Sequence, residues 1–222
     1  MIIAIDGPAG SGKSTTAEAV ADALGFRHLD SGALYRALTA AAVQHGVPES
    51  AWPSLSEADL DRLGVSATVE PTGLRVRIDG RDAAVAIRAP EVNARVSHLA
   101  AQPTVRHWVN QRLREASRHL DVVADGRDIG TVVFPDAELK VFLTAAPAIR
   151  ARRRLADHGN TTPRDDEVRA ETERLLTRDR LDRERSVAPL RRAPDAVDVD
   201  TSNIGFDEQV ARIVELARQR GA

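Results

Sequence analysis

Ile2-Ile3-Ala4-Ile5-Asp6-Gly7-Pro8-Ala9-Gly10-Ser11-Gly12-Lys13-Ser14 passes from an apolar run straight into a complete G-x-x-x-x-G-K-[ST] loop. The run Ile2 to Asp6 reads as a short buried strand. From Thr15 to Leu24 the apolar residues recur at helical spacing, and Gly25 stops the pattern. Strand, glycine loop and helix together are the context in which a Walker A sequence binds phosphate. Its glycines let main-chain N–H groups turn inward on an anion, and the helix N-terminus adds partial positive charge. In such a loop Lys13 reaches the outer phosphates and the Ser14 hydroxyl ligates Mg²⁺.

Composition singles out the same lysine. Of 31 basic residues only Lys13 and Lys140 are lysine. A compact ammonium and a planar guanidinium are not interchangeable inside a loop wrapped around phosphates, so the exception falls where that chemistry requires it. Lys140 lies within Glu138 to Leu143 and reads as an ordinary strand lysine.

The 222 residues suffice for one good core with a small attached subdomain. A formal net charge of −2 argues against bulk electrostatic binding of nucleic acid. With 3% aromatic residues a base-stacking platform for single strands is not expected either. Having no cysteine, the chain has no disulfide, cysteine-ligated metal or thiol catalysis. No apolar run approaches the roughly 20 residues that span a bilayer, and no apolar leader precedes the first strand, so a cytoplasmic protein without membrane attachment is expected.

Further along, Arg27 to Asp30 reads as a second strand, followed by helical spacing through Leu34, Leu38 and Ala41. Residues 48–63 read as a loop with a short helix. Ser66 to Glu70 and Leu74 to Ile78 alternate around Pro71-Thr72-Gly73, a hairpin signal, with a further strand from Gly80 toward Val85. This β-rich island predicts a small inserted domain at 63–88. Helices are expected at 91–99 and 105–120. Strands are expected at 121–125, 139–143 and 196–200, and a closing helix at 208–218. Strands separated by helices argue for a parallel three-layer α/β fold. Thirteen arginines crowd residues 150–192, and Gly159 to Pro163 supplies a flexible tip among them. The segment reads as a helical lid over phosphates, or as salt-bridged, solvated helices.

Other P-loop classes are disfavoured, because an N-K-x-D base-reading motif and a transporter-ATPase signature are both missing. Asp30-Ser31-Gly32-Ala33-Leu34-Tyr35-Arg36, Asp125-Gly126-Arg127-Asp128 and Arg178-x-x-x-Asp182-x-x-Arg185 point elsewhere. Together with Gly7 to Thr15, Thr131 to Asp136 and Val187 to Leu190, they resemble the bacterial cytidylate kinases almost end to end. Relatives often carry glycine then threonine after the loop lysine. Here Ser14 and Thr15 occupy those places, which leaves both hydroxyls as candidates for the metal.

The resemblance implies a five-stranded parallel core, an NMP-binding domain inserted at 63–88 and a lid at 150–185. It implies phosphoryl transfer from ATP to CMP or dCMP with Mg²⁺, by a monomer that binds no nucleic acid polymer. ATP would be held by Gly7, Pro8, Ala9, Gly10, Ser11, Gly12, Lys13, Ser14 and Thr15. Arg36 and Arg127 would hold the acceptor phosphate, with Ser31 in the same site. Ser97, Arg106 and Asp128 would line a cytosine pocket; Arg178 and Asp182 would reach the sugar, with Arg185 nearby. Lys13, Arg127, Arg178 and Arg185 would act on the transferring group.

Residue chemistry agrees. Forked guanidinium groups suit a phosphate dianion, and a carboxylate beside them can accept from the cytosine amino group, which uracil lacks. Asp125 could orient metal-bound water or serve as a cap or arginine partner. Asp128 could merely orient an arginine. The six histidines show no metal-ligand spacing, and Trp52 and Trp108 read as packing residues. Tyr35 is divided between packing and site. Rival readings are a kinase for UMP or a metabolite alcohol, and a non-enzymatic ATP-binding switch.

Overall fold

A computed structural model describes all residues from Met1 to Ala222. In chain order the elements begin with β1 (Ile2–Asp6), α1 (Lys13–Leu24), β2 (Arg27–Asp30) and α2 (Ser31–Gln44). A 3₁₀ turn at Glu49–Ser54 leads to α3 (Glu57–Arg62), β3 (Val65–Glu70), β4 (Gly73–Ile78) and β5 (Arg81–Asp82). Next come α4 (Pro90–Ala100), α5 (Pro103–Ala116), β6 (Val122–Gly126) and a π-helical turn at Ile129–Val133. The chain closes with β7 (Leu139–Thr144), α6 (Pro147–Asp157), α7 (Asp165–Glu184), β8 (Val197–Asp200) and α8 (Phe206–Arg218).

There are two sheets, one of five strands in the order β2-β6-β1-β7-β8 and one of three in the order β3-β4-β5. The chain divides into two compact units, Met1–Phe26 with Val122–Ala222, and Arg27–Asp121. No helix is long and apolar enough to cross a membrane.

In the first unit β1 pairs in parallel with β6 on one side and β7 on the other, and β7 pairs with β8. These strands are near-continuous apolar runs because both faces of the sheet are covered. Ile3, Ile5, Val123, Leu139, Val141, Leu143 and Val199 form one core with Ala17 and Val20 of α1 and Ile213, Val214 and Ala217 of α8. Placed at the centre of this sheet, β1 delivers the glycine loop to a rigid edge.

In the second unit the antiparallel β3-β4 hairpin pairs Ala67 with Val76 and Glu70 with Gly73, as its alternation predicts. The third strand is shorter than expected. The Asp82 carboxylate accepts the Ala84 N–H at 2.8 Å and turns the chain, so pairing stops after Asp82. Helix α5 also ends earlier than its pattern suggested: Ser117 bonds back to Arg114, and His119 takes φ 61°. The unit is wider than the 63–88 insert expected, because α2 through α5 pack with the small sheet around Leu34, Leu38, Leu60, Leu99 and Leu113.

Candidate active site

Within the first unit, the register of β1 and β6 sets Ile5 beside Asp125 and Asp6 beside Gly126. Two carboxylates thus leave the C-terminal ends of adjacent parallel strands, the end at which open α/β sheets hold their ligands. The glycine loop starts at the same place. Gly7 has φ 155°, and a Cβ on it would stand 2.1 Å from the Leu143 carbonyl oxygen. Only glycine lets the chain leave β1 so close to β7.

Lys13 is 6% exposed and opens α1. Its Nζ donates to the Pro8 carbonyl at 2.8 Å and to Ser11 Oγ at 3.4 Å, so the ammonium lies across its own loop. Burial lowers its pKa well below the ordinary lysine value; Arg127 and, less strongly, Arg178 push the same way, against Asp125 and Asp6. Lys13 thus lies within electrostatic reach of two guanidinium groups and two carboxylates. The first turn of α1 carries no acidic residue to offset its positive end.

Ser14 and Thr15 are both exposed, and it is the Ser14 hydroxyl that donates to Asp125 Oδ2, at 2.7 Å. Thr16 is taken up structurally, donating to the Gly12 carbonyl at 2.7 Å and accepting from Gln209.

After β6 the chain places Arg127 and Asp128 against the C-terminal half of α7. Arg127 Nε lies 2.9 Å from Asp182 Oδ2, and Arg185 lies 3.5 Å from Asp128 and 4.0 Å from Asp182. Although burial works against its charge, Asp182 is held below the usual carboxylate pKa by Arg127, Arg178 and Arg185. Asp128 is buried, at 3% exposed. The structure therefore brings Lys13, Ser14, Asp125, Arg127, Asp128, Arg178, Asp182 and Arg185 into one constellation.

The second unit holds the other group. Ser31 opens α2, whose N-cap Asp30 accepts from Ala33 N at 3.0 Å and from Arg36 at 2.7 Å. Arg106 on α5 is buried, donates to the Ala100 carbonyl at 3.0 Å and lies 5.3 Å over the Tyr35 ring. Tyr35 is thus itself buried, as a platform for that guanidinium. Ser97 is half-buried on α4. Trp108 packs, its indole N–H reaching Asp61 at 2.8 Å and its ring under Arg112. Lys140 is buried and paired with Asp195, so its role is structural.

Sequence reading passed over Asp6. Its carboxylate accepts the N–H groups of Ile129 and Gly130, each at 2.8 Å, and so anchors the π-turn that follows Arg127-Asp128. Burial pushes its pKa up to about 6 in spite of those bonds. The signal was present: like Asp125, Asp6 is an acid closing an apolar strand. Arg150 and Asp179 were also missed as individuals, having been read as part of a charged lid. They form a buried pair 2.7 Å apart.

Comparisons with known proteins show the family to which the chain belongs. The family model described as Cytidylate kinase matches residues 3–219. A cytidylate kinase of Chlorobaculum tepidum is 43% identical over 224 residues, covering 99% of this chain and 93% of that one. A bifunctional pantoate ligase/cytidylate kinase of a Synechococcus species is 47% identical over 225 residues, covering 98% of this chain and 40% of the relative. The chain thus spans about two fifths of the length of such bifunctional relatives. Among solved structures, an uncharacterized protein of Eubacterium ventriosum aligns with TM-score 0.55 at 11% identity over 98% of both chains. A Thermus thermophilus protein aligns with TM-score 0.50 at 22% identity, covering 100% of this chain and 98% of that one. These two likenesses concern the fold alone.

Proposed function

Because this chain belongs to the cytidylate kinase family, we propose that it transfers the γ-phosphoryl group of ATP to CMP or dCMP, giving ADP and CDP or dCDP. The observation that carries the reading is the convergence of the glycine loop, the Ser14–Asp125 pair and the Arg127-Asp182-Arg185-Asp128 network within one unit. In that arrangement the loop N–H groups and Lys13 hold the donor phosphates. Arg127, with Arg178 and Arg185, stabilises charge spread over the transferring oxygens, work that falls to positioning and electrostatics in phosphoryl transfer. In the second unit this proposal gives Ser31 and Arg36 to the acceptor phosphate and Ser97 and Arg106 to the base; in the first it gives Arg127 to the acceptor phosphate as well, Asp128 to the base, and Arg178 and Asp182 to the sugar.

Mg²⁺ accompanies ATP in this proposal. The donor chemistry fits: Ser14 Oγ and Asp125 Oδ2 are hard oxygen ligands 2.7 Å apart. No cluster of three or more His, Asp or Glu side chains forms a closed cage, and Mg²⁺ takes its other positions from water and phosphates. When bound, the ion would neutralise bridging phosphate oxygens. Cytoplasmic residence, a place in pyrimidine nucleotide metabolism and action as a monomer belong to the same proposal.

The test is acceptor-dependent ADP release with CMP, dCMP, UMP and no acceptor. Release with the cytidine nucleotides alone is expected. ATP binding without acceptor-dependent release would leave a nucleotide-binding switch in its place.

A further inference from the structure

Ala9, in the middle of the glycine loop, is held by both of its main-chain polar groups. Its N–H donates to Asp179 Oδ1 at 3.0 Å, and its carbonyl accepts from Arg150 at 2.7 Å. The same Arg150 nitrogen lies 2.7 Å from Asp179 Oδ2, which closes a ring of three residues drawn from the loop, α6 and α7. Arg150 Nε is taken by the Ala145 carbonyl at 3.1 Å. The ring is dry: Arg150 is 3% exposed and Asp179 1%. Ala9 also packs with Ala151, Val168 and Leu175.

A buried ion pair is poor stabilisation for its own sake, since desolvation offsets most of the attraction and apolar side chains of similar size serve as well or better. What this pair does that an apolar pair cannot is orient a peptide. No peptide bond in the chain is cis, and in a planar trans peptide the N–H points opposite to the C=O. Fixing the Ala9 carbonyl toward α6 therefore aims the Gly10 N–H away from α6. Gly10 itself has φ 72°, and a Cβ there would press on Arg150 main-chain and Cβ atoms at 3.2–3.3 Å. One turn along α6, Arg153 donates to the Ser11 carbonyl at 3.4 Å, which fixes the Gly12 N–H by the same reasoning.

We propose that Arg150 and Asp179 are positioning residues for the donor phosphates, a buried pair that pre-orients the loop N–H groups by gripping Ala9. This rests on reading Gly7 to Ser14 as the ATP phosphate site. Preorganised donors bind without an ordering cost at the moment of binding. Loss of the pair therefore weakens ATP and leaves CMP affinity alone, a split that a merely structural role would not give.

The experiment uses the double variant Arg150→Met/Asp179→Leu, which fills the same space with apolar atoms and keeps the fold by the argument above. Thermal midpoint, Kd for ATP and for CMP by calorimetry, and both KM values are measured against the unmodified protein. The expected result is an unchanged or raised midpoint, Kd and KM for ATP raised about tenfold or more, and CMP values within about twofold. A folded variant with unchanged ATP affinity, or one in which ATP and CMP weaken together, overturns the proposal. Should the double variant not fold, Asp179→Asn, whose midpoint is expected to fall because Arg150 loses its buried counter-charge, is judged on its ATP and CMP values alone. Failure of the unmodified protein to bind ATP overturns the phosphate-loop reading itself and this inference with it, and is recognised because it needs no variant.

Discussion

The Asp6 carboxylate, at the end of β1, accepts the Gly130 N–H at 2.8 Å across 124 residues of sequence. Because Ile129 donates to the same group, one buried acid ties the strand that launches the glycine loop to the turn that follows Arg127 and Asp128. Burial raises its pKa from 3.8 to about 6. A raised carboxylate means that the folded state binds the extra proton between these values, so the contribution of Asp6 to stability is present below pH 3.8 and is lost as pH rises through about 6. The shift corresponds to about 3 kcal/mol. Asp6→Asn should remove this dependence. Urea unfolding of the nucleotide-free protein from pH 4 to 7.5 should show wild-type stability falling relative to the variant as pH rises. Parallel curves would show that Asp6 does not titrate in this range.

Lys13→Arg tests the compactness of the loop cation. The ammonium is buried and donates to the Pro8 carbonyl at 2.8 Å, and a planar guanidinium does not replace a compact point charge in such a loop. The variant should unfold at a similar temperature yet lose at least about a hundredfold in kcat, in the range of a displaced charge-stabilising donor. Near-normal turnover would remove Lys13 from the chemistry.

The metal hydroxyl is separable by titration. Both side chains are exposed, and Ser14 is the one whose hydroxyl bonds Asp125, at 2.7 Å. Ser14→Ala should raise the Mg²⁺ concentration for half-maximal ADP release several-fold, whereas Thr15→Ala should leave it nearly unchanged. The reverse order would move the ligand one residue along α1.

Acceptor choice is the sharpest expectation. Asp128 is buried and 3.5 Å from Arg185, and the proposed function has it accept from the cytosine amino group. UMP would set a carbonyl against that carboxylate, and an unpaired buried charged group costs on the order of 3 kcal/mol, roughly a hundredfold in kcat/KM. Asp128→Ala should narrow the gap between CMP and UMP while lowering both rates. Equal kcat/KM for CMP and UMP in the unmodified protein would contradict the assignment.

The core was legible in the sequence because buried parallel strands leave unbroken apolar runs, as at Val122 to Ala124 and Leu139 to Leu143. The β3-β4 hairpin was legible because alternation and Pro71-Thr72-Gly73 act locally. Boundaries set by tertiary packing were not. Helices α2, α4 and α5 carry no local mark that they belong with the small sheet. Arg150 and Asp179 look solvent-facing among so many charges. Yet Asp179 lies four residues beyond Leu175 and three before Asp182, on the buried stripe of α7, and that spacing was its only trace.

The tight seat of Gly7 against Leu143 separates two kinds of damage. Any side chain there meets main-chain atoms of β7, which cannot swing aside as a flexible side-chain tip would. In a library of random substitutions sorted first for soluble protein, changes at Gly7 should be discarded at that first gate. Changes at Lys13 should survive it and be lost only when the library is sorted for turnover. That ordering holds because the first residue answers to the sheet and the second to the ligand.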